Sequence, residues 1–534
     1  MVKGRGNFGQ GRTTALAFVA LAATALGLPF AAIAEDREQS AFVESQLLAT
    51  AARKPDALFR VIVQGTDGAS TADVADEVVD RLDDNARAAD ELTGRFQTIT
   101  GVSATLTGYQ VLDLSRDGAV DAITQDVPMV SSADMEENAA GTNGWLQETG
   151  MLSALRTTAA LRARPPTIAI VDSGLTLRKE FSGQVVAQVS LTQLTPNASG
   201  DGRGHGTFVA GLASRATPTG KLVAIDVMDD SGRAMTSDVI AAADWILQNK
   251  DRYRVRVANF SLHAARPSSF LNDPLDRAVE RLWHAGVVVV ASAGNYGSER
   301  GASGVLFAPA NDPFVITVGA ADLGSAPGGA DDSNAPWSAH GRTPDGFLKP
   351  DLGAPGRRLI GPVSPGATMA LEHPERVVAR GYMRMSGTSF AAPIVAGAAA
   401  QVFAVHPEWT PDQVKGALMA SARAVGQATE QSLGVGQIDA LAAQRIVRPP
   451  NPNRALTRFL IDDPAGGSIP VFDAASWDSA STADASWDSA SWIDASWADA
   501  SWADASWTDA SWTDASWADA SWADASWADV SWVG

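Results

Sequence analysis

The chain has 534 residues, which is too long for one ordinary domain and suggests three or four segments. Its formal net charge of -20 argues against a nucleic-acid partner, because phosphate binding requires clustered Lys and Arg. The absence of Cys excludes a disulfide framework, a thiol nucleophile and a zinc–thiolate site. The acidic charge is uneven, since residues 471–534 contain twelve Asp and no Lys, Arg or Glu.

The first residues have the features of a secretory signal peptide. Lys3, Arg5 and Arg12 precede an apolar run over residues 15–34, which ends in Ala-Ile-Ala before two acidic residues. A positive start, an apolar middle and small residues at the cut site mark a signal that is removed on export. The alternative is a retained membrane anchor, because a run of this length could span a bilayer. We predict a signal peptide over residues 1–34 and no membrane span in the mature chain.

A small α+β domain is predicted next, over about residues 57–132. Its segments are typical of strand, helix, strand, strand, helix and strand. In chain order these are residues 58–65, 71–93, 98–114 (strands interrupted by Gly101 and Gly108), 118–124 and 127–131. The order β-α-β-β-α-β is a ferredoxin-like arrangement, which by itself indicates no function.

From about Pro165 onward, strand-like and helix-like segments alternate. Short apolar strands are predicted at residues 167–171, 222–228, 257–262, 287–292 and 315–319, with helices over 237–248 and 273–286 between them. Ser237 is expected to cap the first of these helices, and Asp273-Pro274 to open the second. The alternation predicts a mostly parallel sheet covered by helices.

The C-terminal part of the chain has a different composition. Residues 448–470 begin with Arg-Pro-Pro-Asn-Pro and are predicted to be a linker. Within residues 471–534, ten Trp recur every five residues from Trp487 to Trp532, in a unit close to Asp-Ala-Ser-Trp-Ala. Neither a helix nor an extended strand places this spacing on one face. Two interpretations of this tail stay open: a disordered acidic tether, or a segment that binds a surface, a carbohydrate or a protein.

Four short segments carry residues suited to acyl transfer. Asp172 follows the predicted strand 167–171, at the edge where functional groups gather in parallel sheets. His205 opens a Gly- and Ala-rich helix that would hold its imidazole still. Ser389 starts an apolar helix, where unpaired N–H groups favour an oxygen nucleophile whose attack generates an oxyanion. Asn295 follows another strand, and its amide could donate to that oxyanion.

Each of these residues has an ordinary explanation when taken singly, such as a turn, a structural His or a helix cap. Together they are specific, and the chain resembles the subtilisin-like serine protease family, whose motifs occur in the order Asp, His, Asn, Ser. The resemblance covers roughly residues 167–437. His-Gly-Thr-Phe-Val-Ala-Gly at 205–211 and Gly-Thr-Ser-Phe-Ala-Ala-Pro at 387–393 follow the family pattern throughout.

The resemblance implies a fold and a mechanism. Residues 138–447 would form the α/β peptidase domain, a subtilisin-like mostly parallel sheet flanked by helices. Ser389 would attack the peptide carbonyl, His205 would transfer the proton, and Asp172 would orient His205. Asn295 and the Ser389 N–H would form the oxyanion hole. The substrate-binding residues that the resemblance implies are Ser261, Leu262, Ala293 and Gly294. The chemistry requires no cofactor and no metal in the site.

The resemblance also gives the preceding domain a role. It resembles an inhibitory propeptide, so residues 35–137 are predicted to be removed by the enzyme itself, at a bond between about Ser131 and Gly144. The alternative is a stable accessory domain. Many relatives bind structural calcium, but no acidic loop with calcium-ligand spacing is readable here. Where the family commonly has Gly after Ser-Leu, this chain has His263, which leaves the shape of the cleft wall open.

The resulting expectation is an exported serine endopeptidase, made as a zymogen, that acts on proteins or peptides. Cell exterior, cell surface and periplasm are all compatible with the signal peptide. The main alternative is an inactive binding relative that keeps the fold, which the presence of all the catalytic residues disfavours. A further alternative is that the tail defines the function and the peptidase only matures it.

Overall fold

The computed structural model describes residues 41–82, 91–131, 144–157, 161, 163–181, 183–298, 301–324, 329–429 and 431–483. The predicted signal peptide, most of the range predicted to contain the propeptide cleavage site, and the repeats from residue 484 onward lie outside these residues.

The first domain is a five-stranded sheet in the order β1-β5-β2-β4-β3, with helices packed on it. Its elements are β1 (Phe42–Val43), α1 (Ser45–Arg53), β2 (Leu58–Gly65), α2 (Thr71–Val79), β3 (Glu91–Arg95), β4 (Gly101–Thr107), α3 (Gly108–Leu114) and β5 (Val120–Gln125). Side chains point alternately to the two faces of β2, so successive residues contribute to two different hydrophobic cores. Val61 and Val63 face the domain's own helices, whereas Ile62 belongs to the core of the following domain.

The second half of this domain differs from the prediction. Residues 108–114 form α3 rather than a strand, because Thr107 and Gln110 make a capping box and Val111 and Leu114 are buried at helical spacing. Residues 120–125, expected to be helical, form the strand β5. The last predicted strand, β6 (Pro128–Ser131), is formed but pairs outside this sheet. The order β-α-β-β-α-β is therefore present, although different segments supply it.

The second domain contains a mostly parallel eight-stranded sheet in the order β15-β14-β13-β11-β7-β9-β8, with β18 paired to β14. Its elements up to the middle of the chain are α4 (Trp145–Glu148), α5 (Met151–Ala154), β7 (Thr167–Asp172), β8 (Val185–Ser190), α6 (His205–Ala216), β9 (Lys221–Asp226), β10 (Arg233–Met235), α7 (Thr236–Tyr253), β11 (Val255–Phe260), β12 (Leu262–Ala264), α8 (Pro274–His284) and β13 (Val288–Ser292). They are followed by β14 (Ile316–Asp322), β15 (Ser333–Asn334), β16 (Gly341–Arg342), β17 (Leu348–Lys349), β18 (Leu352–Pro355), β19 (Leu359–Pro362), α9 (Thr368–Glu372), β20 (Val377–Ala379), β21 (Tyr382–Met385), α10 (Thr388–Val405), α11 (Pro411–Ala420) and α12 (Ala440–Arg445). β7 and β13 are buried along their whole length, as expected of parallel strands covered on both faces.

Helix α10 runs through the core of this domain. Among the described residues it is the one helix long and apolar enough to cross a membrane, but 89% of it is buried inside the protein. Its Ala and Gly residues, such as Gly397, allow close packing: a Cβ at Gly397 would lie 2.2 Å from the Cβ of Ala216 in α6. The helix is therefore a core helix that packs closely against α6.

Helix α7 forms hydrogen bonds with the first domain at two points. At its start, Asp126 Oδ1 accepts from the Ser237 N–H (3.0 Å) and Asp126 Oδ2 accepts from Ser237 Oγ (2.9 Å). The expectation that Ser237 caps this helix is wrong, since α7 begins one residue earlier and a carboxylate from the first domain satisfies the N–H group. In the middle of the helix, the Asp244 carboxylate accepts from the N–H groups of Gln97 (2.9 Å) and Thr98 (2.6 Å).

Residues 453–477, here called the C-terminal strap, pack against the second domain. The strap contains α13 (Arg454–Thr457), β22 (Leu460–Ile461), β23 (Val471–Phe472) and the first part of α14 (Ala474–Ala483). Arg281 of α8 forms an ion pair with Asp463 at 2.6 Å. Trp477, at 8% exposure, contacts Phe270 and Phe347 with ring centroids 5.5 Å and 5.7 Å away. Within the segment predicted to be a linker, Asn453 and Leu456 are buried and Asp463 forms an ion pair, whereas residues 464–468 are exposed.

Candidate active site

Asp172 and His205 lie together in the interior of the second domain. Asp172 is the last residue of β7 and His205 the first of α6, so two elements that meet at the carboxyl edge of the sheet position the pair. His205 Nδ1 lies 2.6 Å from Asp172 Oδ1, and both side chains are fully buried. A carboxylate at this nitrogen fixes the ring orientation and tautomer.

The other ring nitrogen of His205 has no hydrogen-bond partner among the described residues, although it is buried. The His205 ring centroid lies 5.3 Å from that of Phe390, the residue that follows Ser389. Because Asp172 occupies Nδ1, Nε2 is the nitrogen that remains for proton transfer.

Ser389 lies in the first turn of α10 and is held against Ser261. Its Oγ donates to the Ser261 carbonyl oxygen at 3.0 Å, and its own carbonyl oxygen accepts from Ser261 Oγ at 2.8 Å. The hydrogen bond from Ser389 Oγ to His205 Nε2 is therefore not formed in this structure. Catalytic hydrogen bonds commonly tighten only when substrate is bound.

The Asn295 side chain is oriented by the residue before Ser389. Its Oδ1 accepts from the Thr388 N–H (2.9 Å) and from Thr388 Oγ1 (3.0 Å). Because Thr388 binds the oxygen end of the amide, the opposite end is the NH₂ group, which can donate to an oxyanion. The preceding Gly294 has a φ of +104°, and a Cβ there would lie 2.3 Å from the Tyr296 ring, so a side chain is excluded at this position.

Two residues that the sequence analysis did not select support the Asp–His pair. Asp201 accepts from the N–H groups of Gly204 (2.6 Å) and Thr207 (2.7 Å), which fixes the start of α6. Ser173 Oγ donates to Asp201 Oδ1 (2.9 Å), and the Ser173 N–H donates to Asp172 Oδ1 (2.8 Å). Burial raises the pKa of Asp201 to about 6. The sequence signal that could have indicated Asp201 is an acidic residue three positions before Gly204, the residue that precedes α6.

Strand β6 of the chain occupies the groove that leads to Ser389. It pairs antiparallel with β10 on one side and β12 on the other. Ser131 lies opposite Leu262, and Leu262 directly follows Ser261, which contacts Ser389. An extended segment held between two strands is the way in which many proteins bind peptides. Ser261 and Leu262 therefore lie where an extended peptide reaches the site, and Ala293 and Gly294 lie beside Asn295.

A buried Asp–His pair, a Ser at a helix N-terminus and an oriented amide donor are the groups that acyl transfer through a serine nucleophile requires. The Subtilase family model matches residues 164–436. The chain therefore belongs to the subtilase family, and its fold is subtilisin-like.

Individual relatives agree with this assignment. The chain is 34% identical to serine protease AprX of Bacillus subtilis over 271 residues, which covers 48% of this chain and 60% of AprX. It is 30% identical to subtilisin of Bacillus pumilus over 284 residues, covering 52% of this chain and 90% of that protein. The chain thus spans about three fifths of AprX, and 65% of subtilisin amylosacchariticus.

A solved structure has the same fold. Fervidolysin from Fervidobacterium pennivorans, a keratinolytic enzyme related to subtilisin, superimposes with a TM-score of 0.56 at 19% sequence identity. The match covers 77% of this chain and 64% of fervidolysin. At this identity the likeness supports the fold alone.

Proposed function

We propose that this protein is a serine endopeptidase that hydrolyses peptide bonds through an acyl-enzyme, with Asp172, His205 and Ser389 as its catalytic triad. The observation that carries the proposal is the buried Asp172–His205 pair at 2.6 Å beside a groove in which a strand of the chain leads to Ser389. Protein and peptide chains, which can add a strand to this groove, are the proposed substrates.

The proposed mechanism uses each group at a stated atom. His205 Nε2 takes the proton of Ser389 Oγ as that oxygen attacks the carbonyl carbon, and later gives the proton to the leaving amine. Asp172 holds Nδ1–H and stabilises the imidazolium. The Asn295 NH₂ group and the Ser389 N–H stabilise the oxyanion. Water then hydrolyses the acyl-enzyme by the same proton transfers in reverse.

We further propose that residues 35–132 are an inhibitory propeptide. Two kinds of contact support this role: β6 fills the groove, and Asp126 contacts the start of α7 while Asp244 of α7 contacts the first domain. Substrate cannot occupy the groove while β6 is there. The domain would therefore inhibit until it is cleaved and released.

The register of β6 points to one scissile bond. Ser131 lies opposite Leu262, so the next residue of a bound chain comes opposite Ser261, whose carbonyl oxygen lies 3.0 Å from Ser389 Oγ. The next residue in the sequence is Ser132. We therefore assign self-cleavage to the Ser132–Ala133 bond, within the range expected from the sequence.

We also propose that the protein is exported and that its repeat tail attaches it to another structure or extends from it. Residues 1–34 would direct export and be removed, which would place the enzyme outside the cytoplasm. The repeat tail would act as an acidic tether or as a segment that binds a surface, a carbohydrate or another protein. The catalytic chemistry proposed here uses side chains and water, with no cofactor.

The test is to express the full chain as wild type and as Ser389→Ala, and to map the N-termini by mass spectrometry. The expected result is a new N-terminus at Ala133 in the wild type and an intact precursor in Ser389→Ala. A wild-type protein that folds but stays uncut would remove the zymogen proposal. Cleavage of Ser389→Ala at the same bond in purified protein would remove Ser389 as the nucleophile.

A further inference from the structure

An aromatic cluster lies on the wall of the groove, beside the proposed oxyanion hole. It consists of His263 in β12, Tyr296 directly after Asn295, and Phe307. The ring centroids are 5.1 Å apart for His263–Phe307, 5.9 Å for His263–Tyr296 and 4.8 Å for Tyr296–Phe307. Each ring contacts the other two, so the three side chains form one packed wall.

Hydrogen bonds hold the wall in place. Tyr296 Oη accepts from the Leu306 N–H at 3.0 Å, and His263 Nδ1 lies 2.8 Å from the Ala264 carbonyl oxygen. The Ala264 N–H donates to the Ala308 carbonyl oxygen at 2.9 Å, which ties β12 to the segment that carries Phe307. Burial raises the pKa of Tyr296 to about 12 and lowers that of His263, so the wall is uncharged near neutral pH.

The wall also fills the space next to the oxyanion loop. A Cβ built on Gly294 would lie 2.3 Å from the Tyr296 ring, so that ring is pressed against the Gly294 backbone. On the side of the cluster away from Gly294, His263 is itself a residue of β12. The three rings therefore occupy the region between β12 and the loop that carries Asn295.

The strand register shows which substrate side chain meets this wall. Val130 lies opposite His263, and opposed residues of an antiparallel pair place their side chains on the same face. A substrate residue two positions further along would return to that face, because side chains alternate along a strand. In this register that residue would come opposite Ser261 and directly precede the proposed scissile bond.

We propose that the cluster of His263, Tyr296 and Phe307 restricts the substrate residue before the scissile bond to a small side chain: Gly, Ala or Ser. The inference rests on the proposed peptidase function and names the substrates of that site. The chain's own sequence agrees with it, since Ser132 precedes the proposed self-cleavage bond and Ala133 follows it. A large side chain would have to displace rings that are already packed against one another.

The test uses autoprocessed full-length enzyme and peptides Pro-Met-Val-Ser-X with a chromogenic leaving group, where X is Ser, Ala, Leu or Phe. Titration with a fluorophosphonate gives the concentration of working sites. For wild type, kcat/KM with X as Ala or Ser should exceed that with X as Phe by on the order of 10–100-fold. Phe307→Gly and, as a second variant, His263→Gly should each shift this ratio toward Phe by about tenfold or more.

Tyr253→Ala is the matched control, because it removes an aromatic side chain that stacks on Trp245 at the end of α7, 5.7 Å between ring centroids. Its ratio should equal that of wild type. The inference is overturned if titrated wild type cleaves X as Phe as well as X as Ala, or if neither cluster variant shifts the ratio. Absence of both fluorophosphonate labelling and hydrolysis of every peptide would instead overturn the proposed function, and the inference with it.

Discussion

At the scale of single residues, the orientation of one amide decides how the oxyanion would be stabilised. Thr388 contacts the Oδ1 end of Asn295, so the NH₂ end is assigned as the donor. Asn295→Ala should lower kcat about 10²–10³-fold with little change in KM, a magnitude carried over from the loss of such a donor in a subtilisin.

Asn295→Asp separates this role from a structural one, because it keeps an oxygen acceptor for Thr388 and removes the donor. It should lose kcat at least as severely as Asn295→Ala. If Asn295→Asp keeps wild-type kcat on a peptide substrate, the side chain serves only to position Thr388.

Two buried carboxyl groups, Glu280 in α8 and the nearby Asp312, are expected to make the stability of the protein depend on pH. Burial raises the pKa of Glu280 well above its ordinary value, and the nearby Asp312 raises it further. A carboxyl group whose pKa is raised in the folded state favours folding at low pH, and this contribution is lost as pH rises through the folded-state pKa. Wild type should therefore lose stability progressively as the pH rises above 4.5, the ordinary pKa of Glu.

Glu280→Gln removes this ionisation while keeping a group that can donate to Asp312. In a Ser389→Ala background, which prevents self-digestion, the Tm of Glu280→Gln relative to its parent should increase from pH 5 to pH 9, by at least about 2 °C. A Tm difference that is the same at both pH values would contradict a raised pKa for Glu280.

At the scale of elements, α7 links the two domains and is expected to make propeptide release depend on pH. Burial raises the pKa of Asp238 to about 6, and the Asp126 carboxylate acts in the same direction. When the first domain leaves, Asp238 gains solvent and loses two charged neighbours, Asp126, which raises its pKa, and Arg60, which lowers it. Burial and Asp126 are the larger influences, so the pKa of Asp238 falls. The complex then binds more protons than its separated parts, and its affinity falls as pH rises through about 6.

The cleaved propeptide should dissociate about tenfold more readily at pH 7 than at pH 5. Gel filtration of autoprocessed full-length protein, with both chains followed by mass spectrometry, measures this. Asp238→Asn should reduce the pH dependence. Tighter retention at pH 7 than at pH 5 would show that another group with the opposite sign controls release.

The C-terminal strap is predicted to stabilise the peptidase domain through one anchor. Trp477 is buried against Phe270 and Phe347, so Trp477→Ala should cost about 3–5 kcal/mol of unfolding free energy. Trp477→Phe, which keeps an aromatic ring, should cost less. Denaturant unfolding in the Ser389→Ala background measures both, and wild-type stability of Trp477→Ala would show that the strap is not anchored there.

Truncation tests the same element as a unit. A chain ending at Val447 loses the Arg281–Asp463 ion pair and the Asn453 contact to the Phe314 carbonyl oxygen. It should be less stable and less active than a chain ending at Ala483. Equal activity and equal stability of the two truncated chains would make residues 448–483 a linker in function.

At the scale of the whole molecule, the sequence predicted the parallel domain well because its signals are local. The strand that ends in Asp172 is short and apolar, and His205 and Ser389 each lie in a helix start rich in small residues. Asp201 and Ser173 escaped prediction because their importance comes from hydrogen bonds to one another and to α6, which only the folded chain brings together.

The errors have a common cause in long-range contacts. Ser237 resembles a helix cap, but Asp126 of another domain takes that role. Residues 448–470 have the Pro-rich composition of a linker, yet Phe459 packs against Phe472, which in turn contacts the distant ring of Phe270. The exchange of helix and strand near α3 and β5 arose because both segments are short and carry similar apolar content.

Fluorophosphonate labelling of the purified full-length protein, with the labelled peptide identified by mass spectrometry, tests directly whether Ser389 is the nucleophile. We expect wild type to be labelled at Ser389, Ser389→Ala to remain unlabelled, and Ser386→Ala, a change in a neighbouring serine, to keep the label. A folded, processed wild type that takes up no label, or a Ser389→Ala protein that is labelled as strongly as wild type, would contradict the assignment of Ser389 as the nucleophile.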